Sequence, residues 1–106
     1  MVLFVDPPIH PGEILRTEFM EPLGLTAGKV AKALGVPRTR IERLVREETQ
    51  LTADTAERLG RYFRTGGEFW MNLRTSHEYS VALKDPTLTR DLDTIVPLER
   101  PDLAAE

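Results

Sequence analysis

The features that this sequence lacks are cysteine and long hydrophobic runs. Without cysteine, a disulfide framework and a thiolate zinc site are both excluded, and a reducing compartment is favoured. The longest apolar runs are only a few residues, and no basic segment followed by an apolar stretch opens the sequence. No membrane span and no signal peptide are therefore predicted, and we expect a cytoplasmic protein without a membrane partner.

Side chains suited to catalysis or to metal binding are also scarce. The two histidines, His10 and His77, lie far apart in sequence, and neither has the second histidine four positions away that a helical metal site needs. Ser76 and Ser80 flank His77 without a nucleophile-elbow motif. His10 is expected in a turn or a helix cap rather than as a base. The sequence thus predicts no enzyme, and no site for a metal, a cofactor or a small-molecule substrate.

What the sequence does contain is a pair of short amphipathic helices between residues 26 and 45. Thr26 is a good N-cap for the first helix, and Gly35 can adopt the left-handed conformation that ends it. Pro37 is acceptable in the first turn of the second helix, where its N–H would be unpaired anyway. One face of each helix is apolar, with Val30, Ala31 and Leu34 in the first and Ile41, Leu44 and Val45 in the second. This pattern predicts a helix-turn-helix, whose second helix enters the major groove of DNA.

The positive charge of the chain is concentrated on the same helix pair. The formal net charge is −3 overall, yet residues 26–47 contain six basic and two acidic side chains. Residues 1–25 and 48–106 are each net acidic. Arginines can simply solvate an exposed helix, but their coincidence with the helix pair favours contacts to DNA phosphates.

The outward face of the second helix supplies the candidate base contacts. At 100° per residue, Thr39, Arg43 and Arg46 point away from the core. Arg38 and Arg43 suit guanine, and Thr39 suits a thymine methyl group or a phosphate. Glu42 either accepts a hydrogen bond from cytosine or forms a salt bridge with an arginine four residues away. The predicted DNA-binding residues are Thr26, Lys29, Arg38, Thr39, Arg40, Glu42, Arg43 and Arg46, of which Lys29, Arg40 and Arg46 are assigned to phosphates.

Three further helices complete the predicted all-α domain, which covers residues 1–85. One runs from Pro11 to about Pro22, and one follows the N-cap Thr52 through about residue 64. Thr65 and Glu68 form a capping-box pattern at the start of the fifth. Residues 86–106, with prolines at 86, 97 and 101, are expected to be an extended or mobile tail, in which residues 94–96 favour a short strand.

The fifth helix is the predicted dimer interface. Phe69 and Trp70 are adjacent, so their side chains point about 100° apart and cannot both fill one apolar stripe. Either one serves the core and the other a partner surface, or both are buried within the monomer. The residues assigned to a two-fold dimer are Phe69, Trp70, Leu73 and His77.

Five motifs carry a family resemblance across residues 9–75. They are HPGEIL at 10–15, EPLGLT at 21–26, ALGVP at 33–37, LTADTAERLGRYF at 51–63 and EFWMNL at 68–73. Together they resemble the HigA-type antitoxins of the xenobiotic-response-element helix-turn-helix family. The resemblance implies a five-helix, lambda-repressor-like domain. It also implies a homodimer that represses its own operon at a palindromic double-stranded DNA operator and binds a ribosome-dependent, mRNA-cleaving toxin.

The sequence departs from that family pattern at two places beside the helix pair. Ala27 stands where such domains usually present glutamine to a phosphate, and residues 46–50 replace an asparagine-glycine turn. Without that glycine, the second helix is expected to run a residue or two longer. Glu47 and Glu48 would repel phosphate, so one alternative is a protein-interaction antitoxin with weakened operator binding. A separate alternative is a helix-turn-helix transcriptional regulator without a toxin partner.

Overall fold

The computed structural model describes residues 4–99, which form six helices and no β-strand. Helix α1 spans residues 11–23, and the others are α2 (Ala27–Leu34), α3 (Arg38–Val45), α4 (Ala53–Phe63), α5 (Gly67–Leu83) and α6 (Pro86–Leu92). The predicted all-α class is confirmed, but the predicted count of five is wrong. None of the helices in this described range has the length and apolar composition needed to cross a membrane.

Helix α1 is continuous but not uniformly α-helical. Pro11–Ile14 is α-helical, Leu15–Met20 forms a π-helical segment, and Glu21–Leu23 returns to α-helix. His10 caps its N-terminus, because the main-chain N–H of Gly12 donates to His10 Nδ1 at 2.9 Å. The capping role expected for His10 is therefore confirmed.

Helices α2 and α3 form the predicted helix-turn-helix. Thr26 caps α2 through a hydrogen bond from the main-chain N–H of Lys29, and Gly35 ends the helix in the left-handed region at φ 72°. Pro37, with an extended backbone, precedes α3. The predicted end of α2 and the predicted start of α3 are both confirmed. Such helix ends can be predicted because they depend on residues that are close in the sequence.

The hydrophobic core lies between the inward faces of α1 to α5. The Trp70 side chain is completely buried in this core and packs against Phe19 with ring centroids 5.0 Å apart. The buried apolar residues are Leu15, Met20, Val30, Ala31, Leu34, Ile41, Leu44, Leu51, Ala56, Leu59 and Trp70. All three inward positions predicted on α2 are buried, while on α3 Ile41 and Leu44 are buried and Val45 is partly so.

The capping box predicted at the start of α5 is wrong. Gly66, at φ 83°, is the N-cap of α5 and receives no side-chain cap, so the capping box of Thr65 and Glu68 does not form. Thr65 instead donates its hydroxyl hydrogen to the carbonyl oxygen of Gly66. The conformation of the turn between α4 and α5 therefore prevents the capping box that the sequence predicts.

The predicted extended tail is also corrected where the structure describes it. Asp85 accepts a hydrogen bond from the main-chain N–H of Thr87, and Pro86 occupies the first turn, so residues 86–92 form α6 instead. Residues 94–96 do not form the expected strand, since no neighbouring strand in residues 4–99 is present to pair with them. The remainder of the predicted tail, residues 100–106, lies outside the described residues, as do residues 1–3 of the predicted domain.

Candidate nucleic-acid interface

The outward face of α3 is exposed as the helical spacing predicts. Thr39, Arg43 and Arg46 are exposed, and 70% of the Arg38 side chain is accessible to solvent. The opposite face holds the buried Ile41 and Leu44. Polar side chains on a helix anchored to the core in this way can contact base edges. Their contact with DNA itself stays a prediction.

Arg38 and Glu42 form an ion pair along this face. Arg38 Nε lies 3.4 Å from Glu42 Oε2, one helical turn away. Of the two alternatives for Glu42, the salt bridge is thus present in the DNA-free protein. Such exposed pairs contribute little to stability, so the carboxylate can exchange its partner when a base approaches.

The N-terminus of α2 lies beside the N-terminus of α3. A Cβ added at Gly28 would lie 3.4 Å from Cδ of Arg38. The fold therefore brings Thr26, Lys29 and Arg38 to one end of the helix pair, although the Thr26 hydroxyl oxygen is engaged as the cap of α2. Main-chain N–H groups at a helix N-terminus favour phosphate, and Lys29 adds a cation there.

Arg40 is held by an acidic side chain of α4. Its Nη1 atom lies 3.0 Å from Asp54 Oδ1, and Arg58 Nε donates to the same oxygen at 2.8 Å. The hydrogen bond from Arg58, with the charges of Arg58 and Arg40, lowers the pKa of Asp54. The carboxylate partly offsets the charge that Arg40 was predicted to present to a phosphate. Sequence spacing did not indicate this pairing because the two residues are 14 positions apart.

A groove beside α3 extends the polar surface towards α4. Its volume is about 590 Å³, and its walls include Arg40 and Arg43 on α3 and Thr49, Gln50 and Thr52 before α4. Hydroxyl, amide and guanidinium donors of this kind are those that bind DNA phosphates and sugars. Residues 49–52, which form one side of the groove, are not among the predicted DNA-binding residues, because their sequence indicates only a turn.

Helix α3 ends at Val45 and does not extend further, so the predicted longer helix is wrong. Glu47 adopts the left-handed conformation at φ 62° that glycine usually supplies. The main-chain N–H groups of Glu47 and Glu48 then donate to the carbonyl oxygens of Leu44 and Arg43, both at 2.9 Å. A non-glycine residue thus closes the helix at a conformational cost.

Arg16 of α1 supports the same helix end. Its Nη1 atom donates a hydrogen bond to the carbonyl oxygen of Val45 at 2.6 Å and lies 3.9 Å from Glu47 Oε2. Arg16 is not among the residues predicted from the sequence, because a contact across 29 positions leaves no periodic signal. The Glu47 carboxylate is therefore beside a cation and is not an isolated negative charge near the DNA.

The four residues assigned to a dimer interface have different environments. Trp70 is completely buried in the core, so its assignment to a partner surface is corrected. Phe69 is 38% exposed, whereas Leu73 packs partly against the core and His77 is partly buried. Because adjacent residues on a helix point in different directions, Trp70 faces inward and Phe69 faces solvent.

The two histidines that are distant in sequence lie together in the fold. The rings of His10 and His77 are 4.9 Å apart in an edge-to-face arrangement, which joins the start of α1 to α5. Burial and the neighbouring His77 lower the pKa of His10, while Glu47 and a main-chain hydrogen bond with Thr49 oppose that shift. Residues 4–99 contain no group of three or more side chains that could hold a metal ion.

Known proteins are similar to this chain in both sequence and fold. Residues 18–70 match the helix-turn-helix family. Virulence-associated protein I of Dichelobacter nodosus is 46% identical over 92 residues, which cover 87% of this chain and 82% of that protein. The Pseudomonas aeruginosa antitoxin HigA, solved with the higBA promoter, is 40% identical with a TM-score of 0.79, covering 86% of this chain and 98% of the other.

Another solved structure, the antitoxin GraA in complex with its operator, is 36% identical with a TM-score of 0.81. The match covers 88% of this chain and 93% of GraA. The family to which these proteins belong comprises DNA-binding antitoxins and regulators, and not enzymes. The chain therefore belongs to the xenobiotic-response-element type of the helix-turn-helix family, and within that family it resembles the HigA-type antitoxins.

Proposed function

We propose that this protein is an antitoxin that neutralises an mRNA-cleaving toxin of the HigB type and, as a dimer, represses its own operon. The observation that carries the DNA-binding part is the exposed basic face of α3, anchored on a core that occupies its opposite face. Relatives with the same fold have been solved with a promoter or an operator, which supports this assignment. We assign DNA binding and dimerisation to residues 1–85, and neither role to residues 86–106.

Base reading is assigned to the exposed positions of α3. Arg38 and Arg43 are proposed to donate to guanine, while Thr39 contacts a thymine methyl group or a phosphate. Glu42 accepts from cytosine N4 only if its pairing with Arg38 is released. Positioning on the backbone is assigned to a second set, namely Thr26, Lys29, Arg40 and Arg46.

Dimerisation is required by the symmetry of a palindromic operator. Its half-sites lie about one helical turn apart, roughly 34–36 Å, and two copies of α3 are needed to read them. Phe69 is an exposed aromatic residue near the start of α5, and it supports an interface there with Leu73 and His77 beside it. Sedimentation at high micromolar concentration should show a dimer that Phe69→Ser converts to a monomer. Tyr62→Ser, which removes an equally exposed aromatic ring on α4, is the matched control and should remain dimeric.

The DNA-binding proposal is tested by fluorescence anisotropy with DNA from upstream of the protein's own coding sequence. At two salt concentrations, the wild type should bind this DNA more tightly than a scrambled duplex, with affinity falling as salt rises. Arg43→Ala should lose most of the preference, because one bidentate arginine-guanine pair contributes about 1–3 kcal/mol of discrimination. Arg61→Ala on α4 removes the same charge away from α3 and should behave as the wild type does.

The antitoxin part is tested by co-purification with the product of the neighbouring gene. The expected result is a stable complex with a short basic protein whose mRNA cleavage is suppressed. A complex without a salt-dependent DNA shift would favour an antitoxin that has lost operator binding. DNA binding without any complex would favour a regulator that has no toxin partner.

A further inference from the structure

The end of α3 rests on the first half of α1 through three successive contacts. The side chain of His10 forms a hydrogen bond with the main chain of Thr49, just after the helix. Gly12 lies against Leu44, so closely that an added Cβ would be 1.8 Å from the Leu44 carbonyl oxygen. These contacts place α1 directly behind the helix that carries the candidate base contacts.

The third contact is the hydrogen bond from Arg16 to the carbonyl oxygen of Val45, 2.6 Å long. Carbonyl groups in the last turn of a helix have no partner within the helix. A cationic donor is favoured there both by the charge-assisted hydrogen bond and by the negative end of the helix dipole. Arg16 therefore contacts the main chain of α3 and not only a neighbouring side chain.

Arg16 lies within the π-helical segment Leu15–Met20 of α1. A π turn inserts one residue into an α-helix, and such turns occur frequently at functional sites. The inserted residue changes the direction of the following side chains relative to a regular helix. In α1 this segment coincides with the residue that reaches across to α3.

The surroundings of Arg16 indicate that its role is internal. The Nη1 atom of Arg16 donates to the carbonyl oxygen of Val45 and lies 3.9 Å from Glu47 Oε2. Only 38% of the Arg16 side chain is exposed. A contact to DNA would need donors that can turn outward, and Arg38, although paired with Glu42 through Nε, has 70% of its side chain exposed. Arg16 therefore differs from the arginines on the outward face.

We propose that Arg16 is a positioning residue for operator recognition. By holding the Val45 carbonyl, it sets the depth and rotation at which α3 enters the groove. Base contacts are more sensitive to such displacements than phosphate contacts, because hydrogen bonds weaken steeply with distance and angle. The inference rests on the proposed operator binding and assigns part of its sequence discrimination to a residue that does not touch DNA.

The test compares operator and scrambled DNA for the variants Arg16→Ala, Arg16→Gln and Arg16→Lys. In Arg16→Ala the ratio of the two affinities should fall tenfold or more, while affinity for scrambled DNA stays within about twofold. Arg16→Lys should retain most of the wild-type affinity ratio. Arg16→Gln, which can still donate one neutral hydrogen bond, should give a ratio between those of Arg16→Ala and Arg16→Lys. Arg61→Ala is the charge-matched control and should leave the ratio unchanged.

Two results would overturn the proposal. One is an unchanged affinity ratio in Arg16→Ala. The other is a slope of log affinity against log salt that becomes shallower by about 0.9, which is the loss of one phosphate contact. If Arg16→Ala does not fold, as circular dichroism would reveal, the Gln and Lys variants decide between these results.

Amide hydrogen exchange separates this inference from the proposed function. In Arg16→Ala, exchange of the amides of residues 46–48 should accelerate at least tenfold relative to α4. If the wild type shows no operator preference but this acceleration is observed, the proposed function fails and the contact of Arg16 with α3 stands. If operator preference is present and neither exchange nor preference changes, the positioning role fails alone.

Discussion

Gly12 and Leu44 bring the main chains of α1 and α3 into direct contact. A Cβ built on Gly12 would lie 1.8 Å from the carbonyl oxygen of Leu44 and 2.8 Å from its carbonyl carbon. Both atoms belong to the backbone of a helix that is packed in the core, so neither can move without shifting the helix. Only glycine allows this approach.

Gly12→Ala should therefore destabilise the protein. We expect the free energy of unfolding to fall by about 3 kcal/mol or more, at the upper end of the cost of overpacking. Urea denaturation followed by circular dichroism measures it. Gly28→Ala is the control, since its Cβ would lie 3.4 Å from the flexible Cδ of Arg38 and 3.9 Å from the hydroxyl oxygen of Thr26. Equal unfolding midpoints for Gly12→Ala and the wild type would contradict the close contact.

Glu47→Gly should stabilise the protein. Glu47 occupies the left-handed region at φ 62°, which costs a non-glycine residue roughly 1–2 kcal/mol, whereas glycine loses about 0.5–1 kcal/mol of chain entropy. The expected net gain in unfolding free energy is about 0.5–1 kcal/mol. Glu48→Gly is the matched control, because Glu48 is not at positive φ, and it should be neutral or destabilising. A loss of stability in Glu47→Gly would show that its contact with Arg16 outweighs the backbone cost.

Glu42→Gln distinguishes the two roles of this side chain. The exposed pair with Arg38 contributes little to stability, so the unfolding free energy should change by less than about 0.5 kcal/mol. If Glu42 serves only as a partner of Arg38, the substitution should raise affinity for operator and scrambled DNA alike, because a negative charge is removed. A loss of preference confined to one base pair would instead identify Glu42 as a reader of cytosine. The measurement is competition binding with operators that each carry one substituted base pair, which shows at which position preference is lost.

Asp54→Asn should strengthen the electrostatic part of DNA binding. The Asp54 carboxylate is paired with both Arg40 and Arg58, and the amide would leave those two charges uncompensated. Affinity for scrambled DNA at low salt should rise, and its dependence on salt should steepen as Arg40 gains a phosphate. Glu57→Gln removes one negative charge elsewhere on α4 and serves as the control. An equal increase in affinity in both variants would show that the effect comes from net charge and not from the release of Arg40.

Stability should decrease as the pH falls below the ordinary pKa of histidine, 6.5, because the pKa of His10 is lowered in the folded protein. The unfolded chain then binds the proton first, so the contribution of His10 is complete above pH 6.5 and is lost towards its folded pKa. Protonation of Nδ1 also removes the cap on Gly12 and places a cation against His77 and the N-terminus of α1. The opposing groups are Glu47 and the main chain of Thr49.

The measurement is the unfolding free energy in urea between pH 8 and pH 5. His10→Asn keeps a side-chain acceptor at the N-cap but does not titrate, so its stability should depend less on pH over this range. A pH dependence identical to that of the wild type would assign the effect to other groups.

The sequence by itself determined the features that depend on residues within one or two helical turns. The caps at Thr26 and Thr52, the stop at Gly35 and the buried face of α2 are all local, since a helix repeats every 3.6 residues. The same periodicity correctly placed Thr39, Arg43 and Arg46 on the outward face of α3. The concentration of positive charge on the helix pair is likewise a property of the chain alone.

Only the tertiary structure decided which side chains meet across the fold. Arg16 reaches Val45, Arg40 is held by Asp54 and His10 packs on His77, across 29 positions in the first case and 14 in the second. These contacts follow from how the helices pack, and packing leaves no periodic trace in the sequence. Packing also decided that Trp70 faces inward. The end of α3 depends on the left-handed conformation of Glu47, which no residue pattern favours.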